Sequence, residues 1–404
     1  MRICLFGTRM DLASGHSRPA FELASGLMDR GHDVRILSTA LHPASRARHA
    51  ESLARSPHLG RVPVDRPFAG LREILQDWRR SREVLRGLLV DCDLVHGFSL
   101  YATSILNMLA PVRIPHILSL NTDFRPPVRD YLTMLAHAPF YFRQLRYSAG
   151  LSIPTLLLKH SFFRFERIIC WTSYLHEKLL SLGIPVERLA RIPVGIDMAR
   201  FDLRARRDSE GSPLFLYSGA LSSLRGIRVL MRAFRIVKGV EAGARLVIAD
   251  RGPHTINDVP MHAREERRLL QQIAEYGLRD SVVRTESGGD LSAWTNACDA
   301  VVLPFNTTIG YSQPPLTLLE AMAHARPVIS TRLGSIPEYI QDGVSGLLVE
   351  PGDADGLARA MLELTPEAGR TMGRNAGLQI EANHNWEPIV KKTESIYLET
   401  LQLH

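Results

Sequence analysis

The chain has 404 residues, 45% hydrophobic and 23% charged, with 49 Lys and Arg against 42 Asp and Glu for a net charge of +7. That length exceeds one ordinary core, so two α/β domains are expected, and the balance is that of a soluble globular protein. No apolar run is long enough to cross a bilayer, and the opening MRICLFGTRM is too short in its apolar part for a signal peptide, so a cytoplasmic location is expected.

The first half alternates strand-like runs with helical patterns. RICLFG is the first strand, followed by a loop with Ser14, Gly15 and His16 and a helix from near Pro19. Gly15 would let the backbone approach a ligand, and the helix start offers N–H groups to an anion; a plain strand-to-helix turn explains the same residues. DVRILS, LVHGF, HILSL and RIICWT are further strands. The four cysteines, Cys4, Cys92, Cys170 and Cys298, lie in or beside apolar segments without metal or redox spacing and read as buried thiols. Residues 129–167 carry six Lys or Arg, two acids and many aromatics, which suits either an anionic lipid surface or two ordinary packing helices.

The charged stretch 198–213 is poor in large apolar residues and closes on Gly and Pro, which marks a domain boundary. Beyond it, LFLYSG, RLVIAD, AVVLPF and PVIST are strands. Strand–helix alternation on this scale implies parallel sheets covered on both faces, so each half should be a doubly wound, Rossmann-like domain. Ligands of such sheets sit beyond the carboxyl ends of strands, and two sheets facing across a crevice would frame one site. Arg225 follows the LFLYSG strand at the mouth of a helix beginning near Gly226, where its charge and the helix dipole could act on a phosphate; Arg228 is one turn on. After AVVLPF comes YSQPPLTLLEAMA. Ser312 can cap this helix, and proline is tolerated in a first turn. The N–H groups nearest its start belong to Leu316 and Thr317. Glu320 follows among apolar neighbours, where an unpaired carboxylate would be costly and a ribose diol would suit it. Gly334 makes a turn, and Glu338 suits the start of a further helix. The last stretch, NWEPIVKKTESIYLETL, is an amphipathic helix able to pack back on the first domain.

These segments resemble the retaining nucleotide-sugar glycosyltransferases of family four, which have the GT-B fold. The similarity lies in YSGALSSLRGIRVLMRAF, CDAVVLPF, LTLLEAMAHARPVISTRLGSIPEYIQDGVSGLLVEPGD, ASGHSRPAFELASGLMDRGHDVRIL and CDLVHGFS, and spans nearly the whole chain. It implies an acceptor-binding domain over 1–200, a donor-binding domain over 201–384, and a terminal helix over 385–404 returning to the first domain. It further implies that Glu320 holds the nucleotide ribose, that the N–H groups of Leu316 and Thr317 and the side chain of Arg225 hold the diphosphate, and that Gly15 forms the N-terminal glycine loop. Ser312 stands where the family has its first motif acid, Ala220 where it usually has Arg, and Asn121 where it often has His. His96 matches a common family His and is the candidate catalytic ring, with Arg225 stabilising the leaving group. No metal or cofactor is implied.

The expected activity is transfer of a sugar from a nucleoside diphosphate to an acceptor hydroxyl with retention, the acceptor being a glycan, lipid or small molecule, with peripheral contact to an anionic membrane. A non-catalytic nucleotide-sugar or glycan binder is the alternative that Ser312, Ala220 and Asn121 leave open. Net charge alone does not argue for nucleic acid, because no recognition motif accompanies it.

Overall fold

A computed structural model describes residues 1–10, 18–41, 60–61, 89–98, 114–137, 155–198, 201, 211–250, 252, 259–285, 291–309 and 313–403. The chain divides into two compact units. The first comprises Met1–Thr122, Ile153–Gly195 and Trp386–His404, and the second Asp123–Ser152 and Ile196–Asn385. Asp123–Ser152 thus groups with the second unit, whereas the sequence assigns it to the first domain.

Among the described residues, the first unit holds seven parallel strands: β1 (Arg2–Met10), β2 (Asp33–Leu41), β3 (Gly60–Arg61), β4 (Leu94–Gly97), β5 (His116–Leu120), β6 (Arg167–Cys170) and β7 (Leu189–Arg191). Their order is β3-β2-β1-β4-β5-β6-β7. β4 and β5 are buried along their whole length, because helices cover both faces of such a sheet and leave no solvent-facing alternation. Its helices among the described residues are α1 (Arg18–Asp29), α3 (Thr155–Phe163), α4 (Ser173–Ser181) and α11 (Trp386–Gln402); α2 (Val128–His137) belongs to the second unit.

α11 docks on this sheet through both charge and core contacts. Glu394 accepts from Arg30 Nε at 2.8 Å and lies 2.6 Å from His32 Nε2, and these partners, Arg30 foremost, hold its carboxyl below the usual range. Deeper in, Tyr397 Oη lies 2.5 Å from His96 Nδ1, and Ser119 Oγ lies 2.8 Å from His96 Nε2. The imidazole stacks on Phe98 at 4.6 Å and is 1% exposed. Burial pushes its pKa down to about 3. Both nitrogens are engaged and the ring stays neutral, so within this unit His96 fastens α11 to β4 and β5. The sequence makes this ring a catalytic candidate; in the structure both its nitrogens are already hydrogen-bonded within the first unit.

The second unit holds β8 (Leu214–Gly219), β9 (Arg245–Asp250), β10 (Val282–Thr285), β11 (Ala300–Leu303), β12 (Val328–Thr331) and β13 (Gly346–Val349), in the order β10-β9-β8-β11-β12-β13. α5 (Ile227–Val240), α6 (Val259–Glu275), α7 (Leu291–Ala297), α8 (Leu316–Ala323), α9 (Ala354–Glu363) and α10 (Pro366–Asn383) connect and follow them. Phe215, Leu246 and Ile248 from the sheet meet Leu230, Phe234 and Leu357 from α5 and α9 in its core. The direction of winding reverses between β8 and β11, so the loops leaving their carboxyl ends diverge and frame a cleft. Gly226 lets those loops meet. Its φ is +79°, and a Cβ there would fall 1.7 Å from the Pro304 carbonyl oxygen.

Two expected outcomes follow. Gly226→Ala forces both strain and a backbone clash, and should lower unfolding stability by about 3 kcal/mol or more in urea titration. Unfolded His96 binds a proton near pH 6.5, whereas folded His96 stays neutral down to about 3, so acid favours the unfolded chain in that window. Stability should fall by up to about 1.4 kcal/mol per pH unit below that upper value on account of this ring, and His96→Gln should flatten the slope between about pH 7 and about pH 5.

Candidate functional site

The carboxyl edge of β8, β11 and β12 gathers the polar groups of the second unit. After β8, Tyr217 Oη donates to the Ala220 carbonyl at 2.8 Å, and Ser222 caps a single helical turn, Ser223–Arg225, by accepting from Leu224 N–H at 3.2 Å. Ser223 and Leu224 are buried, and Arg225 emerges half-buried. Its guanidinium carbon lies 5.9 Å from the Phe305 ring, and Nη1 lies 3.6 Å from where a Cβ on Gly219 would stand. The cation therefore sits between the ends of β8 and β11. Arg228 is committed elsewhere, donating to Glu265 Oε1 at 2.7 Å.

The loop after β11 is stitched to the loop after β8. Asn306 N–H donates to the Leu224 carbonyl at 3.0 Å, and Asn306 Nδ2 donates to the Ser223 carbonyl at 2.9 Å. α8 then begins at Leu316, with Pro315 extended at its N-cap and Leu318 N–H closing the first turn on the Pro315 carbonyl at 3.0 Å. The two prolines thus precede the helix, whereas the sequence places them in its first turn. The reason is geometric: Pro315 keeps ψ at 122°, outside the helical range, and its carbonyl accepts the first bond. Among the described residues, no hydrogen bond engages the N–H of Leu316 or Thr317. Leu316, Leu318, Leu319, Ala321, Met322 and Ala323 are buried, which leaves Thr317 and Glu320, three apart, as the half-exposed stripe of this helix.

After β12, Gly334 turns the chain with φ +55°, and Ser335 donates to Gln313 Oε1 through both N–H (3.0 Å) and Oγ (2.6 Å). Gln313 is fully buried. Its Nε2, the Asn306 Oδ1 and the Ser223 Oγ are buried without hydrogen-bond partners among the described residues. Glu338 is the last residue of the one-turn helix Ile336–Glu338 and does not start a helix as the sequence suggests, since Ser335 and Pro337 define that turn. At the ends of β9 and β10, the charges are already paired: His262 Nε2 with Asp250 at 2.8 Å, and Arg284 with Glu266 at 2.6 Å.

A further contributor is absent from the sequence-based site. α2 brings Tyr131 against Leu224 and Ile309. Asp130, 1% exposed, accepts from Thr308 N–H at 2.6 Å and from its hydroxyl at 2.8 Å. The only local signal was an Asp in the first turn of a proline-led helix, which reads equally as a dipole cap.

Arg225, Leu316, Thr317 and Glu320 are therefore brought to one edge of one sheet. His96 lies in the core of the first unit. Gly15 and Ser312 fall outside the described residues. The arrangement offers a cation, helix N–H groups that no described residue occupies, and a carboxylate one turn further on, a combination fit for an anion attached to a polyol.

Residues 13–200 match the model of Glycosyltransferase Family 4, and residues 212–366 match that of Glycosyl transferases group 1. The chain is 25% identical to the MMP alpha-(1->4)-mannosyltransferase of Mycolicibacterium hassiacum over 98% of each chain. It is 28% identical to the glycogen synthase of Mycobacterium tuberculosis over 58% of this chain and 54% of that one. The chain spans about half the length of several curated relatives it matches, 45 to 55%. Among solved structures, Anabaena HepE in complex with UDP-glucose aligns over 100% of both chains at 17% identity with a TM-score of 0.74, a likeness of fold. Both halves of the sequence and both sheets are thereby accounted for, and the chain belongs to the family-four glycosyltransferases, with the GT-B fold.

Proposed function

We propose that this glycosyltransferase moves a sugar from a nucleoside diphosphate to an acceptor hydroxyl with retention of configuration, and that its second unit holds the donor. The observation that carries the reading is the half-exposed Thr317–Glu320 stripe at the start of an otherwise buried α8, with Arg225 leaving the neighbouring strand β8 at the reversal of strand order. In this reading Glu320 accepts hydrogen bonds from the ribose diol. The N–H groups of Leu316 and Thr317 take the diphosphate at the positive end of the helix, and Arg225 stabilises charge as it develops on the leaving oxygen. These groups would do the work of a metal. The bond from the anomeric carbon to the diphosphate breaks, the acceptor oxygen bonds to that carbon on the same face, and its proton passes to the departing phosphate oxygen. Gly15 and Ser312 are further donor contacts in this scheme. The HepE structure holds UDP-glucose, which makes a uridine diphosphate the first donor nucleotide to test.

One observation favours a binder without turnover. Ala220 offers only its carbonyl, which Tyr217 already occupies, where the family resemblance implies an Arg. A measured transfer or donor-hydrolysis rate from the purified protein decides between the readings.

Glu320→Ala should raise the donor KM about tenfold to a hundredfold, the effect of losing a hydrogen bond to a charged group. Arg225→Ala should lower kcat about a hundredfold with a smaller change in KM. Undiminished transfer in the double variant would refute the assignment.

We also propose that the acceptor side meets an anionic lipid surface. Among the described residues, no helix is long and apolar enough to cross a membrane. On the first unit, Phe163 is 37% exposed and flanked by Lys159 and Arg188, with ring distances of 5.7 and 5.4 Å; Leu180 and Val186 are also exposed on that unit. Basic charge around apolar side chains suits lipid headgroups. Vesicles containing phosphatidylglycerol should retain the protein at low salt, and Lys159→Glu with Arg188→Glu should release it. Equal retention of both proteins would count against this surface.

A further inference from the structure

The loop from β11 to α8 carries most of the groups that build the candidate site. Pro304 meets Gly226, Phe305 lies under Arg225, and Asn306 holds the Ser223–Leu224 turn. Gln313, just before α8, holds Ser335. The loop's described residues, 304–309 and 313–315, pair with no strand, so their position depends on side-chain anchors.

One anchor stands out by its chemistry. Thr308 is 2% exposed, and its N–H and Oγ both fall on Asp130 Oδ2, at 2.6 and 2.8 Å. Asp123 Oδ2 lies 2.9 Å from the same hydroxyl, and Asp123 Oδ1 accepts from Arg125 N–H at 3.1 Å. A hydroxyl has one hydrogen, so it bonds one carboxylate at a time, whereas the N–H donates to Asp130. Arg129 Nε lies 3.6 Å from the other Asp130 oxygen. A carboxylate this deeply buried is stable only if its oxygens are met, so Asp130 and Thr308 hold each other in place. Tyr131, next along α2, packs on Leu224 and Ile309 and fixes the same two loops from the apolar side.

We propose that Asp130 and Thr308 are positioning residues for donor binding: the charged bond between them sets the β11–α8 loop, and through it the spacing of Arg225 from the amino end of α8. This rests on the reading of the second unit as the donor site. It does not require either residue to touch the donor.

The test uses the full chain and, as probes, UDP, GDP and ADP, followed by steady-state kinetics with the donor of whichever nucleotide binds. Thr308→Val keeps the shape and the N–H but removes the hydroxyl; Thr308→Ser keeps both donors; Asp130→Asn keeps the shape and removes the charge. Thr308→Val and Asp130→Asn are expected to weaken nucleoside diphosphate binding and raise the donor KM about tenfold or more, the worth of a hydrogen bond to a charged group. The acceptor KM should be unchanged, and Thr308→Ser should keep wild-type affinity. A purely structural role would lower the melting temperature without this split or this rescue. If Asp130→Asn fails to fold, the Thr308 pair decides alone. Wild-type nucleotide affinity in Thr308→Val overturns this inference and leaves the donor-site reading standing. A wild-type protein that binds none of the three nucleotides overturns both.

Discussion

Everything at the candidate site depends on how closely two backbones approach. The turn after β8 and the exit from β11 come together at Gly226 and Pro304, where even a methyl group would not fit. Because the winding reverses between these strands, their loops would otherwise splay apart. Contact at Gly226 closes the base of the gap, and Asn306 bridges to the Ser223 and Leu224 carbonyls just above it. With Leu224 locked in the interior, the next side chain, Arg225, can only emerge between the two strand ends.

α8 solves a second problem, that of holding two first-turn N–H groups and an acid in one fixed relation. A short helix of eight residues is unstable alone, and this one is held by burial on nearly every side. Since Leu318, Leu319, Ala321 and Met322 are all interior, the helix can neither rotate nor slide without exposing apolar surface. Its amino end and the Thr317–Glu320 stripe therefore act as one rigid device. Positive partial charge gathers at the first turn and the carboxylate sits in the second, and the two do not cancel because the dipole is concentrated at the terminus.

The chain passes between the two units four times, after Thr122, Ser152, Gly195 and Asn385. Neither unit is a contiguous segment. The first is completed by α11, whose Tyr397 closes over His96 from 301 residues away, and the second by α2, whose Asp130 reaches Thr308 across 178 residues. In both cases a polar group that could have faced a ligand is instead saturated by a partner from remote sequence. Burial then does the rest, driving His96 to the neutral form.

The interior strands were legible because two-sided burial writes them as unbroken apolar runs: LVHGF, HILSL, AVVLPF and PVIST all correspond to fully buried ladders. Strands β7, β10 and β13 were not, and each lies at a sheet edge with partly exposed residues that break the run. Leu316, Thr317 and Glu320 could be placed because a helix fixes spacing locally, and Arg225 because it stands one residue before a glycine at a strand-to-helix junction. Local spacing could not say that His96 is sealed or that Thr308 is anchored to Asp130. Those outcomes hinge on which distant side chain arrives, and hydrogen-bond saturation in a packed interior is a property of the assembled tertiary structure alone.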